Sequence, residues 1–113
     1  MDDKVDIGLT PEANTLLAEI LALGWLDEDQ DVARFALGFA VRAGVQPGTT
    51  TGAKTKWASG NFDNTGEIRG VVRALYPATE TPVRLMEHLV HEGLRLVHAR
   101  AVLGGAAPAD LMQ

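Results

Sequence analysis

His88 and His91 stand three residues apart beside Glu87 and Glu92, a spacing at which one turn of helix could present two imidazoles to a divalent ion. A helical projection puts both, with His98, Arg84 and Arg95, on the side opposite Leu85, Met86, Leu89, Val90, Leu96 and Val97. Two imidazoles without a positioned third ligand predict a solvated polar face and no metal site. The chain has no cysteine, which excludes thiolate ligands and disulfides. Residues 48–55, Gly-Thr-Thr-Thr-Gly-Ala-Lys-Thr, share residue types with a phosphate-binding loop. They lack its spacing, which needs four residues between the glycines and a lysine directly after the second. No Ser-His-Asp arrangement or carboxylate pair suited to acid–base work is present, so the sequence predicts neither catalysis nor a cofactor.

The cations carry a second kind of chemistry. Arg34 and Arg42 share an i, i+4, i+8 row with Gly38, while Lys54 and Lys56 flank a loop that leads to Trp57. Arg69 and Arg73 follow one helical turn apart. Such residues grip backbone phosphates, and an exposed Trp57 would stack a base. The competing reading has Trp57 as an apolar plug over the core. It has Arg34 and Arg42 on a solvated face or paired with acids of a second subunit.

These side chains need a scaffold. Val5, Ile7 and Leu9 alternate with Lys4, Asp6 and Gly8, the pattern of a half-buried strand. One strand alone in a helical chain leaves backbone groups unpaired. Pairing with the same strand of a second subunit through Val5, Ile7 and Leu9 is the simplest remedy. Thr10-Pro11 reads as a cap opening a helix whose stripe is Ala13, Leu16, Leu17, Ile20 and Leu21, closed by Gly24. Asp27 and Gln30 read as a capping box for a second helix with Val32, Phe35, Ala36, Phe39 and Ala40, closed by Gly44. Residues 45–66 read as a long loop with at most a helical turn near Trp57, and Glu67 to Leu75 as a third helix ending before Pro77. Thr81-Pro82 opens a last helix reaching about Leu103, with 104–113 a flexible tail.

The expected fold is therefore mainly α, a short N-terminal strand followed by about four helices in one domain over 1–113. Its parts are a strand-helix-helix unit (1–44), a loop (45–66), two helices (67–103) and the tail. The N-terminal half is ribbon-helix-helix-like and oligomer-forming, as a dimer or tetramer. A composition 46% hydrophobic and 22% charged suits one globular core, and no apolar run approaches the roughly 20 residues of a membrane span. With no leader pattern at Met1-Asp2-Asp3-Lys4, a cytoplasmic protein without membrane contact is expected. The net charge of −5 hides an asymmetry: residues 1–31 hold nine acids and one base, residues 32–113 six acids and nine bases. The acidic start is expected to face a protein, and the basic residues from Arg34 to Arg73 to meet any nucleic acid.

The segment Arg34-Phe35-Ala36-Leu37-Gly38-Phe39 resembles the second helix of DndE, the small component of the bacterial DNA phosphorothioation system. Gly44-Val45-Gln46-Pro47 resembles the proline-containing loop that follows it there, and Gly66-Glu67-Ile68-Arg69 a central Gly/Glu/Arg element. Gly93 to Arg100 is similar to the family's closing helix, and the likeness spans roughly residues 5–103. It implies a non-enzymatic oligomer that binds DNA, including nicked duplex, beside a sulfur-transferring enzyme and an ATPase. Arg34 falls on the matching motif. Charge alone adds Arg42, Lys54, Lys56, Arg69 and Arg73 as DNA-contacting residues. A ribbon-helix-helix transcriptional regulator or antitoxin is the alternative expectation.

Overall fold

In a computed structural model, which describes residues 2–111, the chain is mainly helical with a two-stranded antiparallel sheet. Strand β1 (Asp6–Leu9) leads into α1 (Pro11–Leu21) and α2 (Asp29–Arg42). Strand β2 (Lys54–Ala58), α3 (Ser59–Phe62), α4 (Glu67–Leu75) and α5 (Pro82–His98) follow. A π-helical turn at Ala99–Leu103 and the short α6 (Pro108–Leu111) complete the order.

Helix α5 is the axis of the fold, packing against α1, α2, α4 and β1. Val83, Leu85, Met86, Leu89, Val90, Leu94 and Val97 are all buried, so the helix is apolar around most of its circumference. Its closest neighbour is α2, whose inner face is Val32, Ala33, Ala36, Leu37 and Ala40. Small side chains let the two backbones approach. At the crossing stands Gly93, where a Cβ would overlap the carbonyl of Ala36.

The N-terminal strand differs from expectation in its partner. Asp6 pairs with Ala58 and Ile7 with Trp57; the register then shifts, so that Gly8 meets Thr55 and Leu9 meets Lys54. The bulge at Lys56 lets β2 bury Trp57 while Lys54, Thr55 and Lys56 stay exposed. Gly8 is needed for the approach, since a Cβ there would lie 2.8 Å from the Lys54 carbonyl oxygen. An intrachain neighbour thus supplies the hydrogen bonds that a second subunit was expected to supply. Ile7 and Leu9, expected at an oligomer interface, are 0% and 1% exposed within this chain's own core, whereas Val5 is exposed.

Two other segments are more ordered than their composition suggests. The expected loop 45–66 contains β2 and α3, and the expected tail contains α6, whose Leu111 is buried in the core. The cap at Thr10 is as expected, its hydroxyl accepting from the Ala13 N–H at 3.1 Å. The capping box at Asp27 and Gln30 is not formed. Helix α2 begins at Asp29 with Glu28 at its cap and no side-chain cap bond, and Gln30 accepts from Arg34 at 2.8 Å instead. Caps for α4 and α5 come from farther off. Both oxygens of buried Asp63 accept from Ile68 and Arg69 N–H at 3.0 Å, Gly66 turning the chain at φ 78°. Both oxygens of Asp3 accept from Val83 and Arg84 N–H at 3.0 Å. Each carboxylate satisfies two amides that the helix itself cannot.

Candidate functional site

The polar strip of α5, expected to face solvent, is covered by the acidic start of the chain. Arg84 donates through Nε to the carbonyl of Asp2 at 2.7 Å, and Arg95 lies 3.7 Å from Glu12 and 2.7 Å from Glu92. His98 Nε2 stands 3.2 Å from a Glu19 oxygen. Beyond α5, Lys56 faces Asp29 at 3.8 Å and Arg34 faces Asp31 at 3.0 Å. Much of the acid in residues 1–31 is thus matched by cations of the same molecule.

Under that cover sits a buried polar cluster. Glu87, 2% exposed, accepts from the Gly8 N–H at 2.8 Å and is ion-paired with Lys4, which also reaches Asp6 at 3.7 Å. One turn later His91, 4% exposed, accepts the Thr10 N–H at Nε2, 3.2 Å away. That acceptor role requires the proton on Nδ1, which donates to the Glu87 carbonyl at 2.7 Å. His91 is therefore a neutral core histidine and not part of a solvated face. Its helical spacing reveals the burial, because Glu87 and His91 fall at i+4 and i+8 from Val83, on the stripe completed by Val90, Leu94 and Val97. Only their polarity argues otherwise.

Burial holds the His91 pKa below its ordinary value, opposed by the nearby Glu87 carbonyl and carboxylate and reinforced by Arg95 and His88. Below about pH 6.5 the unfolded imidazole takes a proton that the folded one refuses. Stability contributed by neutral His91 is therefore complete above pH 6.5 and is lost as pH falls toward the folded pKa, at up to about 1.4 kcal/mol per pH unit. Urea unfolding at pH 7.5, 6.5 and 5.5 should show this decline in the wild type and a flatter profile in His91→Leu. Parallel profiles would refute the assignment.

Of the expected DNA-contacting residues, Arg34 is committed elsewhere. Its Nε donates to the Phe62 carbonyl at 2.9 Å, Nη1 to Asp31 and Nη2 to Gln30 and the Asn61 carbonyl. The guanidinium also lies 5.6 Å from the centre of the Phe62 ring. It clamps α3 to α2. Arg69 is partly buried, its Nε shielded from solvent without a hydrogen-bond partner. Trp57 packs on Phe62 with ring centres 5.6 Å apart and is the core plug, unavailable for stacking a base. Lys54, Lys56, Arg42 and Arg73 are exposed.

The threonine-rich segment lines a polar cleft of about 550 Å³ with Thr10, Glu12, His88, His91, Glu92 and Arg95. His88 rests on Gly48, where a Cβ would come within 2.8 Å of its ring. Two carboxylates beside Arg95 make the cleft a poor match for phosphate. Among the described residues no group of three or more His, Asp or Glu is arranged to hold a metal ion. No described helix is long and apolar enough to cross a membrane.

No family model, curated protein or solved structure was found to match the chain.

Proposed function

We propose that the chain is a non-catalytic, self-assembling accessory subunit of a bacterial DNA-modification system of the phosphorothioation kind, working in the cytoplasm. It contacts DNA weakly and without sequence readout, and its remaining surface serves a sulfur-transferring enzyme and an ATPase. The observation that carries the DNA part is the bulged strand β2, which keeps Lys54 and Lys56 exposed while burying Trp57. Arg73, exposed on α4, and Arg42, exposed at the end of α2, add to the cationic surface. Side chains with the types needed for chemistry, Glu87, His91, Asp63 and Arg34, are engaged in holding elements together, which favours binding over catalysis.

A ribbon-helix-helix regulator needs the outward side chains of β1 to read bases. Here Lys4 is paired with Glu87, and Asp6 accepts from the Thr55 hydroxyl at 2.9 Å, so that reading ranks second.

Few cations predict weak, salt-sensitive binding. Three or four phosphate contacts give a slope of about −3 in log affinity against log salt. Fluorescence anisotropy on intact and nicked duplexes of unrelated sequence should show it, with Kd on the order of 10⁻⁵ M in moderate salt. Lys54→Glu/Lys56→Glu should abolish binding to both. Absence of binding at low salt, or nanomolar preference for one palindrome, would overturn the proposal.

A further inference from the structure

Residues 2–10 lie across α5 and join the rest of the chain at one junction, Thr10-Pro11, where Thr10 is extended at φ −73° and ψ 161°. Their hydrogen bonds to α5 run in a row: Asp2 and Asp3 at its first turn, Lys4 and Gly8 on Glu87, and the Thr10 N–H on His91 Nε2. The last bond differs in kind, because its acceptor is a ring nitrogen that can itself take a proton. Nδ1 is committed to the Glu87 carbonyl, so the ring has no second nitrogen with which to accept. The helical scaffold does not run through this segment. Helices α1, α2 and α5 pack on one another directly, and α4 packs on α5. Buried Ile7 and Leu9 are the apolar hold that keeps the segment closed while His91 is neutral.

We propose that residues 2–10 are an acid-released strap: a proton on His91 Nε2 detaches them from α5 and leaves the helices packed. An imidazolium donates from both nitrogens, so Nε2–H would be set against the Thr10 N–H and the bond becomes a clash of donors. Burial opposes that proton most, Glu87 favours it through its carbonyl and carboxylate, and Arg95 and His88 oppose it. Around the same cleft, Glu12 of α1 and Glu92 of α5 are held by Arg95, and residues 49–52 bring no titratable side chain. On the strap itself, Lys4 is held by Glu87 and Asp6. Swinging the strap away gives His91 water and an ordinary affinity for a proton. Opening is therefore favoured up to tenfold for each pH unit below about 6.5, until the closed form also takes the proton. The acid-driven loss of stability is thus local before it is global. It takes Ile7 and Leu9 out of the core and leaves β2 with no strand beside it among the described residues.

Hydrogen exchange read residue by residue at pH 7.5, 6.5 and 5.5, corrected for the intrinsic rate at each pH, tests this. Ordinary carboxylates stay ionised throughout that range. The reporters are amides bonded across the strap: Gly8, Thr10, Ser59, Val83 and Arg84. Their protection should fall by up to about tenfold between pH 6.5 and 5.5, while Ala36 and Ala40 on α2 keep theirs. His91→Gln, whose amide oxygen can accept from Thr10 and does not titrate, should hold the strap protection flat across all three. A loss shared equally by strap and α2, an unchanged wild type, or the same slope in His91→Gln would each overturn the proposal. Nitrogen-15 shifts of the wild-type imidazole give a check that needs no variant. Nδ1 should carry the proton at pH 7.5, and the ring should titrate below pH 6.5. A ring titrating at or above pH 6.5 with the strap amides still protected would overturn it as well.

Discussion

Gly93→Ala is expected to destabilise the protein by about 3 kcal/mol, and Gly93→Val to prevent folding, because there is no room for a side chain at the α2–α5 crossing. A methyl at this position would overlap the Ala36 carbonyl and stand 3.1 Å from the Ala36 Cα. The obstacle is backbone, which moves only if the two central helices separate. Separation would loosen Ala33, Ala36 and Ala40 together with Leu89, Val90 and Leu94. A domain of this size has only about 5–15 kcal/mol in total. Gly70 is the control. It too lies in a helix, but nothing surrounds its missing Cβ, so Gly70→Ala should stabilise by about 0.5–1 kcal/mol. Thermal melts by circular dichroism compare the two, and equal effects would remove the crossing from the argument.

Glu87→Ala should cost about 3 kcal/mol and Glu87→Gln about 1 kcal/mol. Alanine leaves the buried Gly8 N–H without an acceptor, opens a small cavity and strands the Lys4 ammonium. Lys4 is 20% exposed and can turn toward water, which keeps the loss below that of a fully enclosed charge. Glutamine retains an oxygen for Gly8 and forfeits only the charge. Urea titration followed by the fluorescence of Trp25 and Trp57 should order wild type, Gln and Ala in decreasing stability. Equal losses for Ala and Gln would mean that the ion pair, not the amide contact, dominates.

Local signals were legible wherever a residue determines its own neighbourhood. Pro82 and Pro77 bracket α5 and α4, Gly24 and Gly44 sit with φ of 81° and 76° just beyond α1 and α2, and Thr10 caps α1 as its type suggests. Strand β2 was hidden because the bulge at Lys56 breaks its alternation and only Trp57 points inward. Residue type alone misled at His91 and Glu87, whose spacing agrees with burial. Arg34 shows a different barrier. Besides the neighbouring Asp31 and Gln30 side chains, its acceptors are the main-chain carbonyls of Asn61 and Phe62, and no side-chain pattern announces a carbonyl nearly thirty positions away. The acidic start reads as a surface for a partner, because composition reports how much charge a segment has and not which part of the fold it lies over.

The cover that residues 2–10 lay over α5 also constrains the order in which the molecule can form. Its contacts join positions 79 to 83 residues apart: Lys4 and Gly8 to Glu87, Thr10 to His91, Asp3 to Val83 and Arg84, and Asp2 to Arg84. None can exist on a ribosome-bound chain until α5 has emerged. Until then Ile7 and Leu9 lack the cover that α5 gives β1, and α2 exposes its alanine face. Closing so long a loop costs only about 0.6 kcal/mol more than closing one half its length, but it slows the search. The first segment is therefore synthesised early but reaches its native place only once the last long helix is available.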